Sequence, residues 1–196
     1  FLSYPIFESP LTSGLLVDMK NGIWQNGGYN GKNVKVIFMP NLNNHGEGSE
    51  DYAGVTSAVK SFFGITEIPG GITGRLNGYR NIHCASFTQL RADYAGMLCA
   101  YYIKNLIKPD LYITTAIWSG HDSRMGDAVE TKTVLACRNP ATLDYVACKD
   151  IISPYATFLN PDNVNNTRKQ IMGCLQEGIG TIDENKYSKI EFDFNS

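Results

Sequence analysis

The stretch Val34–Gly46, VKVIFMPNLNNHG, decides how this chain is read. Its first part, VKVIFM (34–39), is rich in β-formers, and its near-continuous apolar character predicts a strand buried on both faces. The second part is a polar junction, with Asn41, Asn43, Asn44 and His45 at the strand exit. A helical pattern then covers 50–63. Val55, Ala58, Val59 and Phe62 hold the i, i+3, i+4, i+7 spacing of a buried stripe. Ser49 suits its cap, Glu50 and Asp51 suit the positive end of its dipole, and Gly64 suits its stop. Strand, polar loop and helix in that order form the unit of an α/β layer fold.

The rest of the chain repeats the theme. GLLVDM (14–19) reads as a short strand, followed by glycine and asparagine punctuation. Residues 87–107 read as the clearest helix, with a Ser86/Gln89 capping box and a stripe of Leu90, Tyr94, Met97, Leu98 and Tyr101. DLYITTAIW (110–118) and TKTVLACR (131–138) read as strands. Asn139 caps a helix that has Pro140 at its first position and turns Leu143, Val146, Ala147 and Ile151 inward. Asn160-Pro161 repeats that device for a helix over 161–177, with Val164, Ile171, Met172 and Leu175 buried and Gly178 ending it. KIEFDF (189–194) alternates and reads as an edge strand. The expected fold is α/β, a layered, mostly parallel or mixed sheet flanked by helices, in a single domain over 1–196.

Composition removes several function classes. Charged residues are 18% and hydrophobic ones 43%, a balance that argues against disorder. Net charge is −2 without a basic block, so no nucleic-acid or anionic-membrane partner is expected. No apolar run approaches the ~18 residues of a membrane span. The five cysteines, Cys84, Cys99, Cys137, Cys148 and Cys174, form no C-x-x-C pair. Buried free thiols are the expectation, with no iron–sulfur motif and no evident cofactor. The start at Phe1 suggests a missing upstream portion, and with the composition it leans towards export. Asn165-Asn166-Thr167 is a glycosylation sequon, a triplet common by chance.

In open α/β sheets ligands lie beyond the carboxyl ends of strands. MPNLNNHG is such a place: Asn41, Asn43 and His45 offer neutral donors and acceptors there, although asparagine turn chemistry also accounts for amides. Lys60 sits off the apolar stripe. A solvated cation complementing the helix dipole is its ordinary reading, and a site role would need the sheet top to fold over it. IWSGHDSRMGD (117–127) places His121, Asp122, Arg124 and Asp127 on one loop, where His121 and Asp122 suit acid–base or metal chemistry and Arg124 suits an anion. Asp144, flanked by apolar residues, either tethers a loop or lines a pocket. His83-Cys84 is a poor nucleophile pair because such pairs are assembled across a fold. His45, His83 and His121 lack metal-ligand spacing.

These motifs, in this order, resemble the bacterial and archaeal family catalogued as domain of unknown function 362. Its P-x-L-K-x-H segment is similar to Pro40-Asn41-Leu42-Asn43-Asn44-His45. Its V-T-x-A-x-K-N-x-x-G segment is similar to Val55–Gly64, and its strand ending D-G-I to Thr115-Ala116-Ile117. Its L-A-x-D-P-V-A-V-D is similar to Leu135–Asp144, and CLQEGIGTID resembles its last helix and glycine exit. The resemblance runs from about residue 34 to the C-terminus, and the family's opening strand–helix units have no counterpart. Asn43, Ser61, Thr115 and Asn139 replace a lysine, an asparagine and two aspartates of the family pattern. Many members carry ferredoxin-like modules, whose cysteine pattern is lacking here.

The resemblance retains His45, Lys60 and Asp144. Together with the loop arguments, the ligand-binding candidates are Asn41, Asn43, His45, Lys60, His121, Asp122, Arg124 and Asp144. The expected function is binding of a small polar or anionic ligand, or a metal, at the carboxyl edge of the sheet. An enzyme of unspecified reaction, redox-linked through a partner, and an extracellular assembly component are the alternatives.

Overall fold

The computed structural model describes residues 6–8, 16–46, 54–64, 92–107, 109–122 and 126–193. The expected helix start at Ser49–Asp51, the Ser86/Gln89 box, His83-Cys84 and Arg124 lie outside the described residues.

Two sheets are present. A small antiparallel one joins β1 (Ile6–Glu8), β2 (Leu16–Asp18) and β3 (Ile23–Trp24). The main sheet is built on β7 (Leu111–Gly120). On one side β7 pairs in parallel with β4 (Ile37–Phe38) and then β5 (Asn41–Asn44), which follow each other along it. β6 (Val55–Thr56) adds antiparallel to β5. On the other side β8 (Ala128–Cys137) pairs antiparallel with β7 over its whole length. The sheet is therefore mixed, and with its helices the fold is α/β, as the sequence suggests.

One face of this sheet is covered. Phe38, Tyr112, Leu135 and Cys137 meet a core supplied by α1 (Ala92–Asn105), α2 (Pro140–Val146) and α3 (Asn166–Gln176). Phe62 anchors the 3-10 turn Val59–Gly64 in that core. Its ring lies 5.0 Å from Phe38 and 6.1 Å from Tyr102. Burying such a side chain is worth about 2 kcal/mol. A second cluster gathers Leu42, Val55, Ala116 and Cys148. On the opposite face Ile37, Met39, Ile117 and Val134 are exposed.

The helix ends match the expected chemistry in two places. Asn139 Oδ1 accepts from the Ala141 and Thr142 N–H groups at 3.1 and 3.2 Å, ahead of Pro140. Gly178 ends α3 in the left-handed region at φ 76°, with the Gly178 N–H donating to Leu175 O and the Ile179 N–H to Cys174 O. That pair of bonds is a Schellman motif.

Several expectations need correction. The helix over 50–63 is absent from its described part, where Val55–Thr56 is a strand and Val59–Gly64 a 3-10 turn. Gly54 at φ 72° interrupts helical geometry, and the β-branched Val55 and Thr56 pair with Asn44 and Asn43 instead. VKVIFM gives only a two-residue strand. Met39 is 68% exposed, so that strand is not buried on both faces. The MPNLNNHG junction is itself strand over Asn41–Asn44, not a turn.

The fourth correction concerns α3, which starts at Asn166 under an Asn165 cap. Val164 lies outside it and is 91% exposed. KIEFDF forms no strand over its described residues, and Phe192 is 78% exposed. Beyond α2, a π-helical turn over Ala147–Ile152 shifts the buried position from Ile151 to Ile152. The sequon's Asn165 caps α3, and its side-chain amide donates to the Phe158 and Asn160 carbonyls.

α1 and α3 touch through glycine. A Cβ on Gly96 would lie 2.0 Å from the Gln170 carbonyl oxygen, and one on Gly173 would lie 2.1 Å from that of Asp93. Both obstacles are backbone, so the helices would have to separate. Gly96→Ala should destabilise the protein by about 3 kcal/mol in thermal denaturation. Gly28→Ala, at a position where a Cβ would meet nothing within 4 Å, should leave the transition nearly unchanged.

Candidate functional site

The parallel pairing of β5 with β7 brings their carboxyl ends to one edge. Asn41 pairs with Thr115 and Asn43 with Gly120, and the register shifts between them. Side-chain amides compensate at that irregularity. Asn43 Oδ1 accepts from the Gly120 N–H at 3.1 Å, and Asn44 Nδ2 donates to the Asp122 carbonyl at 2.8 Å. Asn44 Oδ1 also accepts from the Gly46 N–H at 2.8 Å. The amides thus hold the exit of β7 against the exit of β5, with His121 just beyond one strand and His45 just beyond the other.

Lys60 reaches this edge from the 3-10 turn. Its side chain is buried, 3% exposed, contrary to the solvated cation expected. Nζ donates to the Gly54 carbonyl at 3.1 Å and lies 3.3 Å from His45 Nδ1. Thr56 Oγ1 lies 3.2 Å from the same ring nitrogen. The Gly54 carbonyl, just ahead of β6, thus meets the head of Lys60.

Asp144 controls the turn. It is fully buried on α2, one turn from the Asn139 cap. Its Oδ1 accepts from the Ala58 N–H at 2.7 Å and its Oδ2 from the Val59 N–H at 2.9 Å. Ser57 donates a further hydrogen bond to it and lies 3.0 Å from Thr114 Oγ1 in β7. With the Ser57 hydrogen given to Asp144, Thr114 donates to Ser57. Burial pushes the Asp144 carboxyl up to about 6, against the downward pull of the Val59 and Ala58 N–H groups, Ser57 and the Lys60 ammonium. This is the loop tether that its flanking apolar residues suggested, and it stands behind the edge.

The structure therefore brings His45, Lys60 and Asp144 into one neighbourhood, with the Asn43 side chain on Gly120 and the Asp122 carbonyl on Asn44 beside it. His121 packs near Tyr155, their ring centroids 6.4 Å apart, and Asp122 is exposed. Asn41 does not join them. It turns to the outer face, where the Thr115 hydroxyl donates to its Oδ1. Sequence reasoning placed Asn44 at the junction without making it a candidate, and passed over Thr56, Ser57 and Thr114. Thr56 and Ser57 lie inside the V-T-x-A-x-K pattern, which was their only signal. Among the described residues no group of three or more His, Cys, Asp or Glu side chains gathers to hold a metal. No helix among them is long and apolar enough to cross a membrane.

The family model described as Domain of unknown function (DUF362) matches residues 34–149, more than half of the chain. The chain belongs to this family. The matched region opens just before β4 and closes in the π-helical turn, so this DUF362 domain contains His45, Lys60, His121 and Asp144. No curated protein and no solved structure matches the chain.

Asp144→Ala would strand two buried N–H groups, at about 1–3 kcal/mol each. A loss of about 3 kcal/mol in denaturant unfolding is expected. The pH dependence follows from the raised carboxyl. Its folded value of about 6 lies above the ordinary 3.8, so the native state keeps a proton that the unfolded chain releases. The stability linked to this proton is complete below the ordinary value and is lost as pH rises through about 6. The stability gap between wild type and Asp144→Asn should therefore be wider at mildly acidic than at mildly alkaline pH.

Proposed function

We propose that this chain binds a small polar or anionic ligand at the carboxyl edge of its main sheet, against His45 and His121. The observation that carries the reading is the 3.3 Å approach of the buried Lys60 ammonium to His45 Nδ1. Burying an ammonium is costly unless its charge is answered by hydrogen bonds or a partner. Here the ammonium is answered by the Gly54 carbonyl and the His45 ring, which sets hydrogen-bonding groups and a partly exposed imidazole at the exit of parallel strands, where α/β sheets receive ligands. The Asp144 tether supports this by fixing the turn that carries Lys60. The same pair would serve an enzyme, and ligand binding is the step that both readings share.

A thermal-shift screen against phosphate, sulfate, simple carboxylates and divalent metals tests the proposal. A ligand at about 100 times its Kd stabilises by about 2.7 kcal/mol. At least one member should raise the Tm saturably, and the increment should shrink in Lys60→Met. No increment from any member, or an equal one in Lys60→Met, contradicts the reading.

A further inference from the structure

We infer that the uncovered face of the main sheet is an interface between two copies of this chain. The inference is independent of the ligand edge. β4 and β5 pair with β7 in parallel, and sheets with such pairs are normally covered on both faces. An antiparallel sheet tolerates a solvated face, but that face then carries polar residues. Here the uncovered face is apolar. Ile37 pairs with Leu111 and Thr115 with Val134, and Leu111 and Thr115 lie four apart on β7, so all four share one side of the sheet. Met39 and Ile117 join them, each two places further along its chain. Ile37 is 50% exposed, Met39 68%, Ile117 44% and Val134 55%. None of these residues is charged.

A partner could meet this sheet at its edge or on its face, and the edge is guarded. β8 pairs only with β7 among the described residues. Between the pairs Ala116–Thr133 and Trp118–Glu130 it carries one residue more than β7, and Lys132 there sits in the left-handed region at φ 47°. A bulge bearing a lysine on an edge strand works against strand addition. The face carries no such guard, and its lack of charge selects the occupant. A nucleic acid or a charged peptide finds no opposite charge on it. A second copy brings the same uncharged patch across a two-fold axis, and no like charges meet. The size agrees. These side chains, with the less exposed ones between them, offer roughly 600 Å² per copy, at the top of the range for patches on monomers. Pairing would remove roughly 1,200 Å² in total, the lower end for stable interfaces. An interface of that size makes a dimer that dissociates on dilution, not an obligate one.

Sedimentation velocity over a concentration series, from low to high micromolar, is the test. The mass should pass from monomer to dimer as concentration rises. Met39→Lys and Val134→Lys each bring a charge into the patch, from different strands and at positions exposed enough for the fold to accept it. Each should weaken the dimer about tenfold or more, because the new charge is desolvated in the interface. Far-ultraviolet circular dichroism and Tm should stay as in wild type. Ile190→Lys, at an exposed apolar position outside the sheet, should leave the dimer unchanged. A wild type that stays monomeric throughout, a wild type that assembles beyond the dimer, or a dimer that both patch substitutions leave intact overturns the inference.

Discussion

The Asp144 carboxylate, taking one backbone N–H on each oxygen, is the constraint on which the rest of this structure depends. A 3-10 turn exposes N–H groups that need acceptors, and inside a protein they cannot turn to water. α2 brings a buried acceptor to them. Its own position is set by the Asn139 cap and Pro140, which follow directly from β8. The carboxylate therefore ties the last strand of the sheet to the turn that follows β6. Ser57 and Thr114 extend the tie into β7. With the turn fixed at its N–H groups and held by Phe62 in the core, Lys60 has one course, across Gly54 towards His45.

That course gives the edge its character. β5 is an unusual strand, with three asparagines in four residues. Asparagine is depleted in strands because its side chain competes for backbone groups. Here the competition serves the sheet. Where the β5–β7 ladder slips, Asn43 takes the Gly120 N–H and Asn44 takes the Asp122 carbonyl. The amides replace lost ladder bonds and hold the two strand exits together. His45 stands next to this seam, with an ammonium behind it. The polar character of the edge thus comes from tertiary contacts between segments far apart in sequence.

The same distinction separates what the sequence disclosed from what it hid. β7, β8 and the body of α1 were legible as elements because long runs leave little choice, but the face of α1 was not: Ala92, Ala95, Cys99 and Ala100 are buried, while Tyr101 of the expected stripe is exposed. The Asn139-Pro140 start of α2 and the Gly178 end of α3 were legible because cap chemistry is local. The stripe Val55, Ala58, Val59, Phe62 was read as a helix and is buried throughout, although it spans a strand and a 3-10 turn. Burial was visible there and geometry was not, since the acceptor that fixes the turn lies on α2. Asn160-Pro161 carries the same local signature as Asn139-Pro140, yet α3 begins at Asn166, where Asn165 caps it. KIEFDF alternates like a strand but has no ladder partner among the described residues. Lys60 reads as solvated from its own helix pattern alone, because its burial is set by the Gly54 carbonyl together with His45 and Asp144, which lie outside that pattern.

Amide hydrogen exchange at Ala58 and Val59 tests the central claim most directly, because it reads the two donors that Asp144 is said to hold. Both amides should exchange as slowly as those in the buried middle of α3, near Ile171. Exchange as fast as in the exposed Glu184–Lys186 turn would mean that the carboxylate does not hold them, and the position of Lys60 would lose its physical basis.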